Sequence, residues 1–313
     1  MGAAVCATLV LVVTRRAEEK EFLKLAATSR PGWLGLALLL QSATYVMQGL
    51  VWKITARAAD HHLTLGNSFK LSLASLFADQ ALPTAGVSGM AIASGALTRR
   101  GMSRAGVASA ILVNLAMYSF AYACCMAVAA GIAIFQRYLP GWVAMTMLLF
   151  VLIRIGMAWF MIALPTGGLQ RLRERLRHIG KLSSVMRLLD EADAGSFRDR
   201  KLLSQVFALH LTTFLLDAAT LWVSVLALGG VMPPGGLFTS FMASTFFRTV
   251  GIMPGGLGTF ETASVLSLKS IGLPLPIALS ATLLFRGFSF WLPMVPGLIC
   301  ARRLLGSDRR TAP

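Results

Sequence analysis

Residues 253–263 read MPGGLGTFETA: a proline, three glycines and a glutamate set inside an otherwise apolar stretch. Proline removes a backbone donor and ends a helix, and glycine lets another group come close to the main chain. A helix starting there exposes amides of partial positive charge, a natural seat for phosphate or carboxylate. The chemistry open to this segment is therefore anion binding. Pro254 would stop the incoming helix, Thr259 would cap the next one, and Gly255, Gly256 and Gly258 would admit a headgroup to the free amides. Arg248 and Arg286 would supply positive field, and Glu261, in the first turn of the second helix, would hold one of them in position. A second break, LPTAGVSG at 82–89, offers Pro83, Gly86 and Gly89, with Asp79 just before it. The plainer alternative is that the glycines only permit a tight turn and close helix packing.

Other charged residues fall inside apolar runs, where each costs at least a few kcal/mol near a bilayer centre and turns toward an interior cavity or a partner. Arg154 and Asp217 read as an ion pair between helices. Lys70, Lys269 and His210 read as snorkelling side chains or helix contacts. Cys6, Cys124, Cys125 and Cys300 show no metal or redox spacing, so they are read as packing. There is no HExxH, no nucleotide-binding loop and no Ser/His/Asp set that the topology would join. The sequence implies no cofactor and no enzyme, and active transport would need a partner or an ion gradient.

The elements that must carry these residues are membrane helices. Of 313 residues, 56% are hydrophobic and 13% charged, and runs such as WLGLALLLQSATYVMQGLVW (33–52) are long enough to span a hydrocarbon core about 30 Å thick. The net charge of +16 suits anionic lipid headgroups rather than nucleic acid, because the positives lie between the apolar runs. Six spans are expected, near 2–14, 32–52, 105–135, 141–164, 205–229 and 276–300. The short run 3–13 reads as a first span rather than a signal peptide. The stretches 64–98 and 236–271 are interrupted by the two breaks, and each reads as two half-helices forming a re-entrant hairpin.

Charge sets the orientation. Nine Lys/Arg place the loop 165–204 in the cytoplasm. The clusters Lys53/Arg57, Arg99/Arg100/Arg104 and Arg302/Arg303/Arg309/Arg310 then fall inside only if 64–98 is a hairpin from the inside and 236–271 one from the outside. Segment 15–31, with five Lys/Arg, is an exception that lands outside. The fold class is thus an all-α polytopic membrane protein, one transmembrane domain over 1–313. Residues 1–135 form a first inverted half and 136–204 carry the fourth span and a basic loop. Residues 205–313 carry the fifth span, the second hairpin and the last span. Inverted halves of this kind build a site at the bilayer midplane in transporters. Leu169, Leu172, Leu176, Ile179 and Leu182 recur at helical spacing among arginines, as in a helix lying on the inner leaflet.

Pro254, Gly255, Gly256, Leu257, Gly258, Glu261 and Arg286, in order and spacing, resemble the Pro-Gly-Gly-Leu-Gly-x-x-Glu signature and later arginine of the lysylphosphatidylglycerol synthase transmembrane region, a family also described as flippase-like. ALPTAGVSGMAIASGALTRRGMSRAGVASA resembles that family's first hairpin more loosely. Where many members carry a Gly-Glu pair and an arginine, this chain has Gly89, Met90 and Ala93. In some relatives a soluble aminoacyl-transferring domain follows; this sequence stops at Pro313, which leaves that activity without a domain. The resemblance implies a multi-pass protein of the bacterial inner membrane, both termini cytoplasmic, that moves a phospholipid or glycolipid with a polar or anionic headgroup between leaflets. Its partners would be membrane lipids. The alternatives are an accessory subunit beside an envelope-lipid biosynthesis enzyme and, further off, a lipid-modifying enzyme.

Overall fold

The computed structural model describes residues 31–82, 87–163, 165–166, 191–251 and 253–305. These residues are helical, with no strand among them. The first expected span, Pro83, Gly86 and the amphipathic segment around Leu176 lie outside the described residues.

Among the described residues ten α-helices run in chain order: α1 (Pro31–Ala58), α2 (Leu65–Ala81), α3 (Val87–Arg99), α4 (Arg104–Gln136), α5 (Gly141–Ala163), α6 (Arg200–Ala227), α7 (Pro234–Val250), α8 (Thr259–Ser270), α9 (Leu275–Arg286) and α10 (Leu292–Leu305). Local chemistry sets their starts. Thr64 accepts from the Asn67 amide at the head of α2, and Ser103 from Gly106 at the head of α4. Asp199 accepts from Lys201 and Leu202, so α6 begins at Arg200, earlier than the apolar pattern suggests. Pro234 opens α7, where its missing donor costs nothing.

Among the described residues, five helical segments are long and apolar enough to cross a membrane: α1, α4, α5, α6 and the run Leu275–Leu304. That run is α9 and α10 joined through a π-helical turn, Gly287–Trp291. Trp142, Met145, Leu149, Leu152, Ile153 and Trp159 of α5 all stand exposed. An apolar face of that size belongs against lipid, and the two tryptophans, about 26 Å apart at a rise of about 1.5 Å per residue, match the two interfacial belts.

Both interrupted stretches are broken where glycine and proline fall, and in each the two pieces pack on one another, α2 on α3 and α7 on α8. The contacts recur in matched sets. α1 packs on α2 as α6 does on α7; α1 meets α4 as α6 meets α9; α4 meets α7 as α10 meets α2. The most extensive contact of all joins α1 to α6. α2 also touches the Pro254–Gly256 turn, so one broken unit reaches the break of the other.

Two apolar clusters gather the C-terminal ends of α1, α3, α5 and α10 with the N-terminal ends of α4 and α6. Lys53, Arg57, Arg99, Arg100, Arg104, Arg198, Arg200, Lys201, Arg302 and Arg303 therefore share one end of the bundle. At the opposite end a Cβ on Gly236, near the start of α7, would lie 2.9 Å from Ile271 just past α8.

Candidate functional site

The second break is a short 3₁₀ turn, Pro254–Gly256, between extended residues that end α7 and the first residue of α8. Gly255 and Gly256 both adopt positive φ, at 59° and 66°. A Cβ on Gly256 would collide with the Arg248 side chain, and one on Gly255 with the Phe290 ring. These glycines are therefore demanded by backbone conformation and by close packing.

Glu261 answers two donors. Its Oε2 accepts from the Gly258 amide at 2.7 Å, and its Oε1 from Arg286 Nε at 2.6 Å. Arg286 Nη2 donates to the Gly255 carbonyl at 3.1 Å, and the guanidinium lies 4.4 Å from the Phe290 ring centre and 5.4 Å from that of Phe260. At 3% exposure Arg286 is buried, and burial is tolerable only because carboxylate, carbonyl and ring faces replace water around it. The expected pairing of Glu261 with Arg286 is present.

Two expectations need correction. The cap of α8 is Gly258, not Thr259, whose hydroxyl instead donates to the Gly256 carbonyl at 3.0 Å. One of the amides expected to stay free at that helix start, that of Gly258, is taken by Glu261, because a glutamate three residues into a helix can reach back to the cap amide. The first break repeats the pattern. α3 starts at Val87, and Asp79 Oδ1 accepts from the Gly89 amide at 2.7 Å and sits 3.3 Å from Ser88 Oγ. A Cβ on Gly89 would strike that carboxylate. Each helix start thus holds an internal carboxylate where an external anion was expected.

Arg248, at the end of α7, is half-buried and has no hydrogen-bond or ion-pair partner among the described residues. Its charge acts on Asp217, Tyr122 and Arg286. Asp217 does not pair with Arg154. It accepts from Gln41 Nε2 at 3.1 Å, across the α1–α6 contact. Arg154 is instead surrounded by rings, its guanidinium 5.0–5.7 Å from the centres of Tyr118, Tyr122 and Phe150. His210 is buried at a helix contact, as expected, 2.9 Å from Asn114 Oδ1. The anticipated Asp217–Arg154 pair fails because aromatic side chains of α4 stand where a carboxylate would have to be.

Several participants escaped the sequence reading. Two carbonyls after Arg286 lack a helical donor, Phe288 O because the Leu292 amide bonds Gly287 O in the π turn and Ser289 O because Pro293 has no N–H. Phe288 O accepts from Tyr45 Oη at 2.6 Å and Ser289 O from Gln80 Nε2 at 3.1 Å. These bonds tie α1 and α2 to the last span. Tyr45 and Gln80 are polar members of apolar runs, and Pro293 removes a ladder donor in the last span; these were the available signals.

Comparison with known proteins fits this architecture. A family profile described as the lysylphosphatidylglycerol synthase TM region matches residues 1–297. Among relatives, the UPF0104 membrane protein MJ1595 of Methanocaldococcus jannaschii is 21% identical over 297 residues, 89% of this chain and 87% of its own. A phosphatidylglycerol lysyltransferase of Staphylococcus haemolyticus is 28% identical over 108 residues, 34% of this chain but 11% of that enzyme. The family matched is that of the transmembrane region, and the chain is a multi-pass integral membrane protein belonging to the lysylphosphatidylglycerol synthase transmembrane family.

Proposed function

We propose that the protein binds the anionic headgroup of a membrane lipid beside the paired breaks and passes the lipid between leaflets. The observation that carries this reading is Arg248: a cation with no hydrogen-bond or ion-pair partner among the described residues, next to a Glu261–Arg286 pair that already neutralises itself. An unpaired cation at membrane depth is costly, and a phosphate supplied by a lipid would offset that cost. Pro254, Gly255, Gly256, Gly258, Thr259, Asp79 and Gly89 then shape and brace the site rather than touch the headgroup through free amides.

In this reading α2–α3 and α7–α8 are re-entrant hairpins of opposite orientation within one domain of two inverted halves. The supports are the matched contacts and the lengths of α3 and α8, 13 and 12 residues. At about 1.5 Å per residue such helices reach about 20 Å, short of a core about 30 Å thick. The basic end of the bundle would face the cytoplasm, with the protein in the cytoplasmic membrane. One relative is named for phosphatidylglycerol, which makes that lipid the first to try.

The test is reconstitution in vesicles with fluorescent phosphatidylglycerol or phosphatidylcholine and a membrane-impermeant quencher. The wild-type protein should expose labelled phosphatidylglycerol faster than the zwitterion, and Arg248→Gln should slow that tenfold or more at an unchanged melting temperature. Purified protein that moves neither lipid would defeat the proposal and leave the accessory-subunit reading in its place.

A further inference from the structure

Arg154 sits at the middle of α5, with the helix's exposed apolar face behind it and three rings in front. Its Nε is buried without a partner, and no hydrogen bond or ion pair to it occurs among the described residues. The groups facing it are neutral. Tyr118 carries His210 on its edge, Tyr122 is stacked on Phe214, and Phe150 packs against Phe246. Asp217, one turn beyond Phe214 on α6, is engaged by Gln41 and by the charge of Arg248.

Ring faces hold a guanidinium flat and shield it, but cation–π contact contributes only about 0.5–2 kcal/mol and does not cancel the charge. The cation is therefore oriented and still short of an anion. Close by, the Tyr122 hydroxyl lies 3.1 Å from Thr249 Oγ1. That threonine already donates to the Thr245 carbonyl at 2.9 Å, so the tyrosine is the donor between them. Thr249 is exposed and follows Arg248 in the chain.

We infer that Arg154, braced by Tyr118, Tyr122 and Phe150, is a second binding station for a phosphate-bearing anion. It lies on α5 and α4, outside the two broken units, and does not depend on the transport reading. The guanidinium supplies donors for phosphate oxygens, and the rings exclude water and fix its plane. Choline and other cationic groups are disfavoured there by like charge.

The experiment is titration of the purified full-length protein in detergent with phosphatidylglycerol, phosphatidylcholine or inorganic phosphate. Bound lipid is counted by native mass spectrometry, and melting temperature is followed in parallel. Arg154→Gln is made alone and in the Arg248→Gln background. Phosphatidylglycerol binding that survives Arg248→Gln and weakens about ten- to a hundredfold when Arg154→Gln is added would assign it to Arg154, the range expected for losing a charge-assisted hydrogen bond. Phosphatidylcholine binding and melting temperature should hold, and Arg154→Lys should restore part of the affinity. Phosphate that raises the melting temperature of the wild type but not of Arg154→Gln would assign the station to the soluble ion. Loss of all phosphatidylglycerol binding with Arg248→Gln alone, or binding indifferent to Arg154→Gln with no phosphate effect, would overturn the inference. Binding lost with Arg154→Gln but untouched by Arg248→Gln would uphold it and sink the headgroup site at Arg248.

Discussion

Glu261 shares its two oxygens between a backbone amide and a guanidinium, and each partner limits what may replace it. Glu261→Gln should destabilise the protein by about 3–5 kcal/mol, the usual cost of leaving a buried charge unpaired. The exchanged pair, Glu261→Arg with Arg286→Glu, should not recover that loss in a detergent melting assay. The new arginine would face the Gly258 amide as a second donor, and Phe260 and Phe290 would lose their cation. Gly256→Ala should cost about 1–3 kcal/mol through its positive φ and the clash with Arg248. Gly66→Ala, in helix α2 with open space at its Cβ, should instead be neutral or stabilising by up to about 1 kcal/mol. Glu261, Arg286 and Arg248 were legible in sequence because a charge inside an apolar run demands a reason. The rings around Arg154 were not, since an aromatic residue in such a run reads as packing until the fold sets a cation among several.

Helix breaks were the most legible elements, as proline and glycine act locally whatever surrounds them. Both interrupted stretches break where LPTAGVSG and MPGGLG lie. Most helix starts fell within a residue of the expectation; α6 begins at Arg200, five residues early, because Asp199 caps it, a local donor choice that apolar periodicity does not mark. The π turn at Gly287–Trp291 was not read from the sequence, although Pro293, which has no N–H for Ser289 O, interrupts the ladder there; Tyr45 and Gln80 take the open carbonyls. Tyr45→Phe should therefore cost about 1 kcal/mol, the net worth of one such bond. It should also speed amide hydrogen exchange around residues 287–292 more than elsewhere in the last span. Uniform faster exchange along α9 and α10 would mean the bond serves general packing and not this turn.

At the scale of the whole molecule, ten of the described basic residues, from Lys53 to Arg303, collect at one end, and the start of α7 meets the end of α8 at the other. Apolar length revealed the spans, but which helix touches which depends on surfaces that periodicity hardly marks when lipid and core are both apolar. The central claim is that two oppositely inserted hairpins bring their breaks together at a shared anion site. It is tested most directly by single cysteines, in a background lacking the native ones, probed with an impermeant thiol reagent from each side of oriented vesicles. Gly235→Cys and Ser270→Cys, at the two ends of α7–α8, should react from one face only. Gly66→Cys and Thr98→Cys, at the two ends of α2–α3, should react from the other. Thr249→Cys, beside Arg248, should react through an aqueous cavity and be protected by phosphatidylglycerol. If positions 235 and 270 react from opposite faces, α7 and α8 together cross the membrane, and the opposed-hairpin account is wrong.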